Sequence, residues 1–217
     1  MKKSFPMILL LMLIFFSYVI FFNGEIRGEE GSARKNALII RTGRLNSTEG
    51  RIEGSDGVVL IKGDVEIKGE KLLYFEKEKR AEISGGIKLT HEKGEISSQS
   101  MEAFVEVDRY IFREEVKMLQ RLEEGDFNLS SPYLELLKES NSFRANRGVV
   151  INFKGRTLKG EEVFYNDQEE TLELVKNVYI EEDNGDWVKS ERAVFYLKTE
   201  EFIAEGNVEL ELDLSTE

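Results

Sequence analysis

The chain has 217 residues, 41% of them apolar and 33% charged, with two prolines, one histidine and no cysteine. Such a composition supports a buried core and excludes a disordered chain. The missing cysteines exclude disulfides, thiolate metal sites and a thiol nucleophile, and His91 alone cannot build a histidine triad or a multi-histidine metal site. Lys2 and Lys3 are the only charges before Glu25, so the remainder carries a formal charge of −14 and suits neither nucleic acid nor other polyanions.

From Phe5 to Phe22 the chain runs 18 residues without a charge, then reaches Asn23-Gly24-Glu25. That length approaches a membrane span, and the end lacks the small-residue site of a cleaved signal peptide. Residues 1–24 are therefore expected to form an uncleaved transmembrane helix, a cleaved signal being the alternative. The two lysines place the N-terminus in the cytoplasm and the acidic remainder across the membrane. Residues 25–36, with Gly28 and Gly31 among charges, read as a flexible tether, and residues 37–217 as one folded domain.

That domain repeats. With Gly69, Ser98, Ser131, Gly160 and Ser190 as anchors, the spacings are 29, 33, 29 and 30 residues. Two residues before each anchor stand Ile67, Ile96, Leu129, Leu158 and Val188; three after stand Leu72, Met101, Leu134, Val163 and Ala193. Further apolar columns follow at offsets of five, twelve, fourteen, eighteen and twenty, the eighteenth being Ile87, Val116, Val149, Val178 and Val208. A compressed sixth copy opens the series, with Leu45, Ser47, Ile52, Val59, Ile61, Val65 and Ile67 at matching offsets. Residues 119–128 interrupt the spacing.

Apolar columns two residues apart describe strands with one covered face. Charged turns such as Glu76-Lys77-Glu78-Lys79 split each copy into an antiparallel hairpin. The odd offset between the columns at minus two and plus three would put them on opposite faces of a straight strand, so a bulge or corner is expected at each Gly or Ser anchor. Gly86, Glu115, Gly148, Asn177 and Asn207, just before the valine column, are mostly types that accept positive φ, so the returning strand is expected to bend at the same level. The fold class is all-β: an open β-jelly-roll of two facing antiparallel sheets built from stacked hairpins, preceded by one transmembrane helix. A parallel β-helix would need three short strands per turn and denser Gly/Asn ladders.

Two segments then stand out: Leu158-Lys-Gly160-Glu-Glu-Val163-Phe-Tyr165 leading to Lys176-Asn177-Val178-Tyr179-Ile180, and Val188-Lys-Ser190-Glu-Arg-Ala193-Val-Phe195-Tyr196 leading to Gly206-Asn207-Val208-Glu209-Leu210. Their wording resembles the OstA-like repeat of the LptA/LptC family of lipopolysaccharide-export bridge proteins, over roughly residues 45–212. One N-terminal anchor plus one domain resembles the membrane-anchored branch. The resemblance implies a periplasmic domain, tethered to the inner membrane, that receives lipopolysaccharide from an ABC transporter and passes it to a soluble bridge protein.

On that reading the acyl chains would contact the inward columns: Leu72, Tyr74, Ile87, Leu89, Phe112, Val116, Met118, Val149, Ile151, Val163, Tyr165, Leu174, Val178 and Ile180. Periodicity alone reads the same residues equally well as ordinary core. The final strand, Gly206 to Leu212, carries Val208, Leu210 and Leu212 on one face and is the expected edge for the bridge protein, with the transporter at the opposite edge near Leu45 to Ile61. Trp187 suits either a lipid or partner contact or hairpin packing. No motif sets a nucleophile, base or metal, so neither an enzyme nor a cofactor is expected. A membrane-tethered structural or adhesive repeat protein without cargo is the alternative from another class.

Overall fold

In a computed structural model, residues 39–62, 65–92, 94–104, 106–107, 109–122, 125–137 and 139–213 are described. The expected anchor and tether lie outside these residues. The strands are β1 (Ile39–Thr48), β2 (Arg51–Lys62), β3 (Val65–Gly69), β4 (Lys71–Phe75), β5 (Arg80–His91), β6 (Gly94–Phe104), β7 (Arg109–Leu122), β8 (Gly125–Leu137), β9 (Ser142–Phe153), β10 (Arg156–Asn166), β11 (Thr171–Glu181), β12 (Trp187–Tyr196), β13 (Phe202–Glu205) and β14 (Glu209–Glu211). Among the described residues there is no helix.

All pairings are antiparallel, in the order β1-β2-β3-β5-β6-β7-β8-β9-β10-β11-β12-β13, with β4 beside β2 and β5, and β14 beside β12. The two expected sheets are thus one hydrogen-bonded sheet folded along a line of corners. At each corner the ladder skips residues, as between Ser84 and Ile87, Arg113 and Val116, and Val175 and Val178. The returning strands turn on two consecutive residues of positive φ: Gly85–Gly86, Glu114–Glu115, Arg147–Gly148, Lys176–Asn177 and Gly206–Asn207. A side chain there costs on the order of 1 kcal/mol, which glycine avoids.

Side chains hold the corners. The anchor hydroxyls of Ser98, Ser131 and Ser190 donate to the carbonyls of Ser100, Tyr133 and Arg192, at 2.9, 2.8 and 2.9 Å. On the outer side, the amide of Gln99 donates to Glu115 at 2.9 Å, that of Asn177 to Glu161 at 3.4 Å and that of Asn207 to Glu191 at 2.5 Å. The corner corrects parity as the odd offset requires: Ile96 and Ser98 before it, and Met101 and Ala103 after it, are all buried.

Folding at the corners lays one half of the sheet against the other. The first half contains Ile96, Met118, Leu129, Ile151, Leu158 and Ile180 in one cross-strand row; the second contains Met101, Phe112, Leu134, Ala145, Val163 and Leu174. All belong to one buried apolar cluster. Phe127 of the first half and Phe143 of the second stand 6.3 Å apart, ring centre to ring centre, so the halves meet far from the corner line.

Three expectations need correction. In the opening copy, Val58 and Leu60 are buried, whereas Val59 and Ile61 take the outer face; the corner at Asp56 and Gly57, both at positive φ, shifts the parity by one. The described residues of this stretch, 119–122 and 125–128, continue the ladder rather than interrupt it, with β7 and β8 paired out to Leu122 and Gly125. The first edge is β1 alone, because Ile61 lies in β2, which pairs with β1 and β3.

Candidate functional site

The interior of the folded sheet is the candidate. Of the residues expected to line it, Leu72, Ile87, Leu89, Phe112, Val116, Met118, Val149, Ile151, Val163, Tyr165, Leu174, Val178 and Ile180 are buried in the one cluster, and Tyr74 is half-buried against it. In this structure they pack on one another. Their positions follow from strand alternation: neighbours such as Val150 and Tyr179 point outward, while Ile151 and Val178 point in.

At both ends of the fold the inward rows run out into solvent. Ile40 and Leu45 of β1 occupy the inward rows opposite Leu60 and Gly54, yet are 41% and 60% exposed. At the other end Leu210 faces Val188 in β12 and is 59% exposed, with Val208 and Leu212 at 51% and 50%. Among the described residues both terminal strands therefore have an edge of unpaired backbone groups next to apolar side chains, the combination that pairs with another strand. Of the three residues singled out from the sequence, Leu210 lies in β14 while Val208 and Leu212 flank it, the expected Gly206–Leu212 strand being paired only over Glu209–Glu211.

At one stretch of the margin opposite the corners, charged groups span the two halves. Lys154, in the turn after β9, reaches Glu200, in the turn after β12, with Nζ 2.6 Å from Oε1. Arg156 donates to the Glu200 carbonyl at 2.9 Å, lies 3.4 Å from its carboxylate, pairs with Glu182 at 3.1 Å and covers the Phe195 ring at 5.7 Å. Hydrogen bonding from Lys154, with the charges of Lys154 and Arg156, holds the Glu200 carboxyl below its ordinary pKa. Sequence reasoning missed this cluster because its members lie 44 and 46 residues apart.

Tyr165, within the core, has a polar partner, its hydroxyl donating to Asp167 at 3.0 Å. Burial, then the Asp167 charge, pushes the phenol pKa far up, so it stays protonated. His91 is buried at the end of β5.

The outer faces are polar. On the second half, Arg109 pairs with Glu135, Arg144 with Glu162 at 2.8 Å, and Arg192 with Glu173 and Glu205 at 2.7 and 2.8 Å. On the first half a cross-strand row places Lys68, Lys88, Lys117, Lys159 and Lys189 among Ser97, Ser130 and Tyr179. The adjoining row answers with Glu66 and Glu95, which pair with Lys68 and Lys88 at 2.6 and 3.0 Å. Trp187 lies on that face, under the Lys189 ammonium at 4.2 Å and 6.1 Å from the Tyr179 ring. Two shallow outer grooves, of about 780 and 750 Å³, run beside β1–β6 and along the corner line at Ser97–Gln99 and Ser130–Pro132. Among the described residues no acid–histidine cluster could hold a metal ion.

No protein-family model and no curated protein matches the chain. Among solved structures it is similar to LptH, the LptA-homologous periplasmic component of the lipopolysaccharide transport device of Pseudomonas aeruginosa. The two share 8% identity over 84% of this chain and 99% of that one, with a TM-score of 0.29. A superposition of that quality transfers nothing to this chain.

Proposed function

We propose that this chain is an LptC-type component of lipopolysaccharide export. On this reading it is anchored in the inner membrane by its N-terminal helix, takes acyl chains from an ABC transporter into the interior of the folded sheet, and hands them to an LptA-type bridge protein. The observation that supports it best is one apolar interior reaching solvent at both ends, each end beside a strand with one edge unpaired among the described residues, in a sequence with OstA-like wording. Copies or partners added strand to strand would extend the apolar rows without a break.

Burial of hydrocarbon is worth about 0.8 kcal/mol per methylene, so ten methylenes supply about 8 kcal/mol without any head-group contact. That suits a chain whose net charge of −12 disfavours a basic phosphate clamp. The C-terminal edge, with Val208, Leu210 and Leu212, would receive the bridge protein, and β1 would face the transporter.

The test is to purify the full chain from membranes in mild detergent, extract it with organic solvent and analyse the extract for lipid A by mass spectrometry. Near-stoichiometric lipid A is the expected result. Its absence, alongside ordinary phospholipid only, would favour the second reading, a cargo-free structural repeat protein, for which the self-filled interior speaks. Whether the first 24 residues remain in the mature chain is read from its N-terminal sequence.

A further inference from the structure

We propose that the Lys154–Arg156–Glu200 cluster is an electrostatic clasp that closes the margin of the fold and must part for cargo to enter from the side; the inference rests on the lipid-carrying reading above. Two independent observations meet here. First, the interior between the halves is already filled: Phe112, Leu134, Ile151, Val163 and Leu174 are fully buried against their neighbours. An acyl chain as thick as these side chains can lie there only if the halves move apart, because interiors at crystal-like density have no spare channel.

Second, among the described residues the backbone of one half is continuous with that of the other, and strand-ladder hydrogen bonds run between them, only through the corners, so the opposite margin is where they can part. One stretch of that margin is tied by charge. Lys154, in a turn, and Arg156, at the start of β10, belong to the first half and Glu200 to the second, with contacts of 2.6 and 2.9 Å between segments distant in sequence. Both turn residues are held at positive φ, Lys154 at 48° and Glu200 at 61°, a backbone state that aims each side chain across the gap at some conformational cost. Ion pairs that are partly solvated are weak and salt-sensitive. They suit a closure that opens and recloses at this stretch of the margin, beside the apolar Phe127–Phe143 contact.

The chain has no cysteine, so labels can be placed at will. Asn184→Cys and Lys198→Cys, exposed in the turns flanking the margin on the two halves, take nitroxide spin labels for pulsed distance measurement. In the parent the distance distribution should be single and narrow. In Glu200→Gln and Lys154→Gln it should broaden toward longer distances, and lipid A in micelles should be taken up about tenfold faster, the factor that about 1.4 kcal/mol of lost closure gives. The exchange pair Lys154→Glu with Glu200→Lys should restore part of both readouts, the remainder being lost because Glu200→Lys sets a cation beside Arg156; a folding defect would allow no recovery. Unchanged distances in the single variants, or broadened distances with unchanged uptake, would overturn the clasp. If the distances respond but no variant and no parent takes up lipid A, the role as a side gate for lipid falls with the lipid-carrying reading, while closure by charge stands.

Discussion

Gly69 and Gly160 occupy the same anchor column, where three other copies carry serine, so the repeat alone treats Gly→Ser as equally acceptable at both. The structure separates them. Neither glycine sits at positive φ, so the cost is steric. A Cβ on Gly69 would lie 2.7 Å from Ile83 Cγ2, 3.2 Å from Ile87 Cδ1 and 3.3 Å from the Ser84 carbonyl. Ile83 and Ile87 are buried and cannot retreat without disturbing the core. Overpacking of this kind costs about 1–3 kcal/mol, offset by about 0.4–1 kcal/mol from the stiffer unfolded chain, leaving a net loss of about 1–2 kcal/mol.

At Gly160 the nearest atom to a new Cβ is the Glu162 carbonyl at 3.4 Å, an ordinary contact. A hydroxyl there faces the carbonyl two residues on, as those of Ser98 and Ser190 already do at 2.9 Å. Gly160→Ser should therefore be neutral or stabilise by up to about 1 kcal/mol. The pair should differ by about 2 kcal/mol in urea unfolding at a common slope, or roughly 4–8 °C in Tm. Equal losses at the two sites, or a Gly69→Ser variant as stable as the parent, would refute the packing argument.

Three further outcomes follow from the same geometry. Leu134→Ala removes a fully buried side chain from the middle of the second half and should cost about 2–5 kcal/mol by calorimetry or urea, against under 0.5 kcal/mol for Glu139→Ala in an exposed turn. The Glu162 carboxyl is held below its ordinary pKa chiefly by Lys176 and then by Arg144, and that of Glu200 by Lys154. A depressed carboxyl adds stability that is full above its unfolded pKa and lost as pH falls through its folded one, so Tm should drop on acidification below the usual carboxylate range. The drop should shrink at high salt; a salt-independent fall would remove these pairs as its cause. Deleting residues 206–217 should abolish copurification of an LptA-type partner while leaving the chain in the membrane fraction, and retained copurification would count against the edge assignment.

Much of this fold was legible because strand alternation projects directly into sequence. The odd offset after each anchor forced a corner, and Gly86, Gly148, Asn177 and Asn207 located the bend of the returning strand, all four standing at positive φ. The reading failed where the corner itself moved: Asp56–Gly57 lies within the compressed first copy, so Val59 and Ile61 were placed inward when Val58 and Leu60 are. Phe127, which bridges the two halves to Phe143, fell outside every column because its hairpin is longer than the others. The clasp was invisible for another reason: ion pairs between turns far apart leave no periodic trace. Sequence also could not separate a lining from a core, since both demand the same apolar column. The structure places the residues together, and their role turns on whether the halves part.

Neighbouring residues on opposite faces decide that question. Photo-crosslinking side chains introduced at Ile151 and Val178, which point inward, and at Val150 and Tyr179, which point outward, are irradiated in cells making labelled lipopolysaccharide. Lipid adducts at the first two positions and not the second two are the expected result. Adducts confined to Val150 and Tyr179, or absent from all four, would contradict an interior that carries acyl chains.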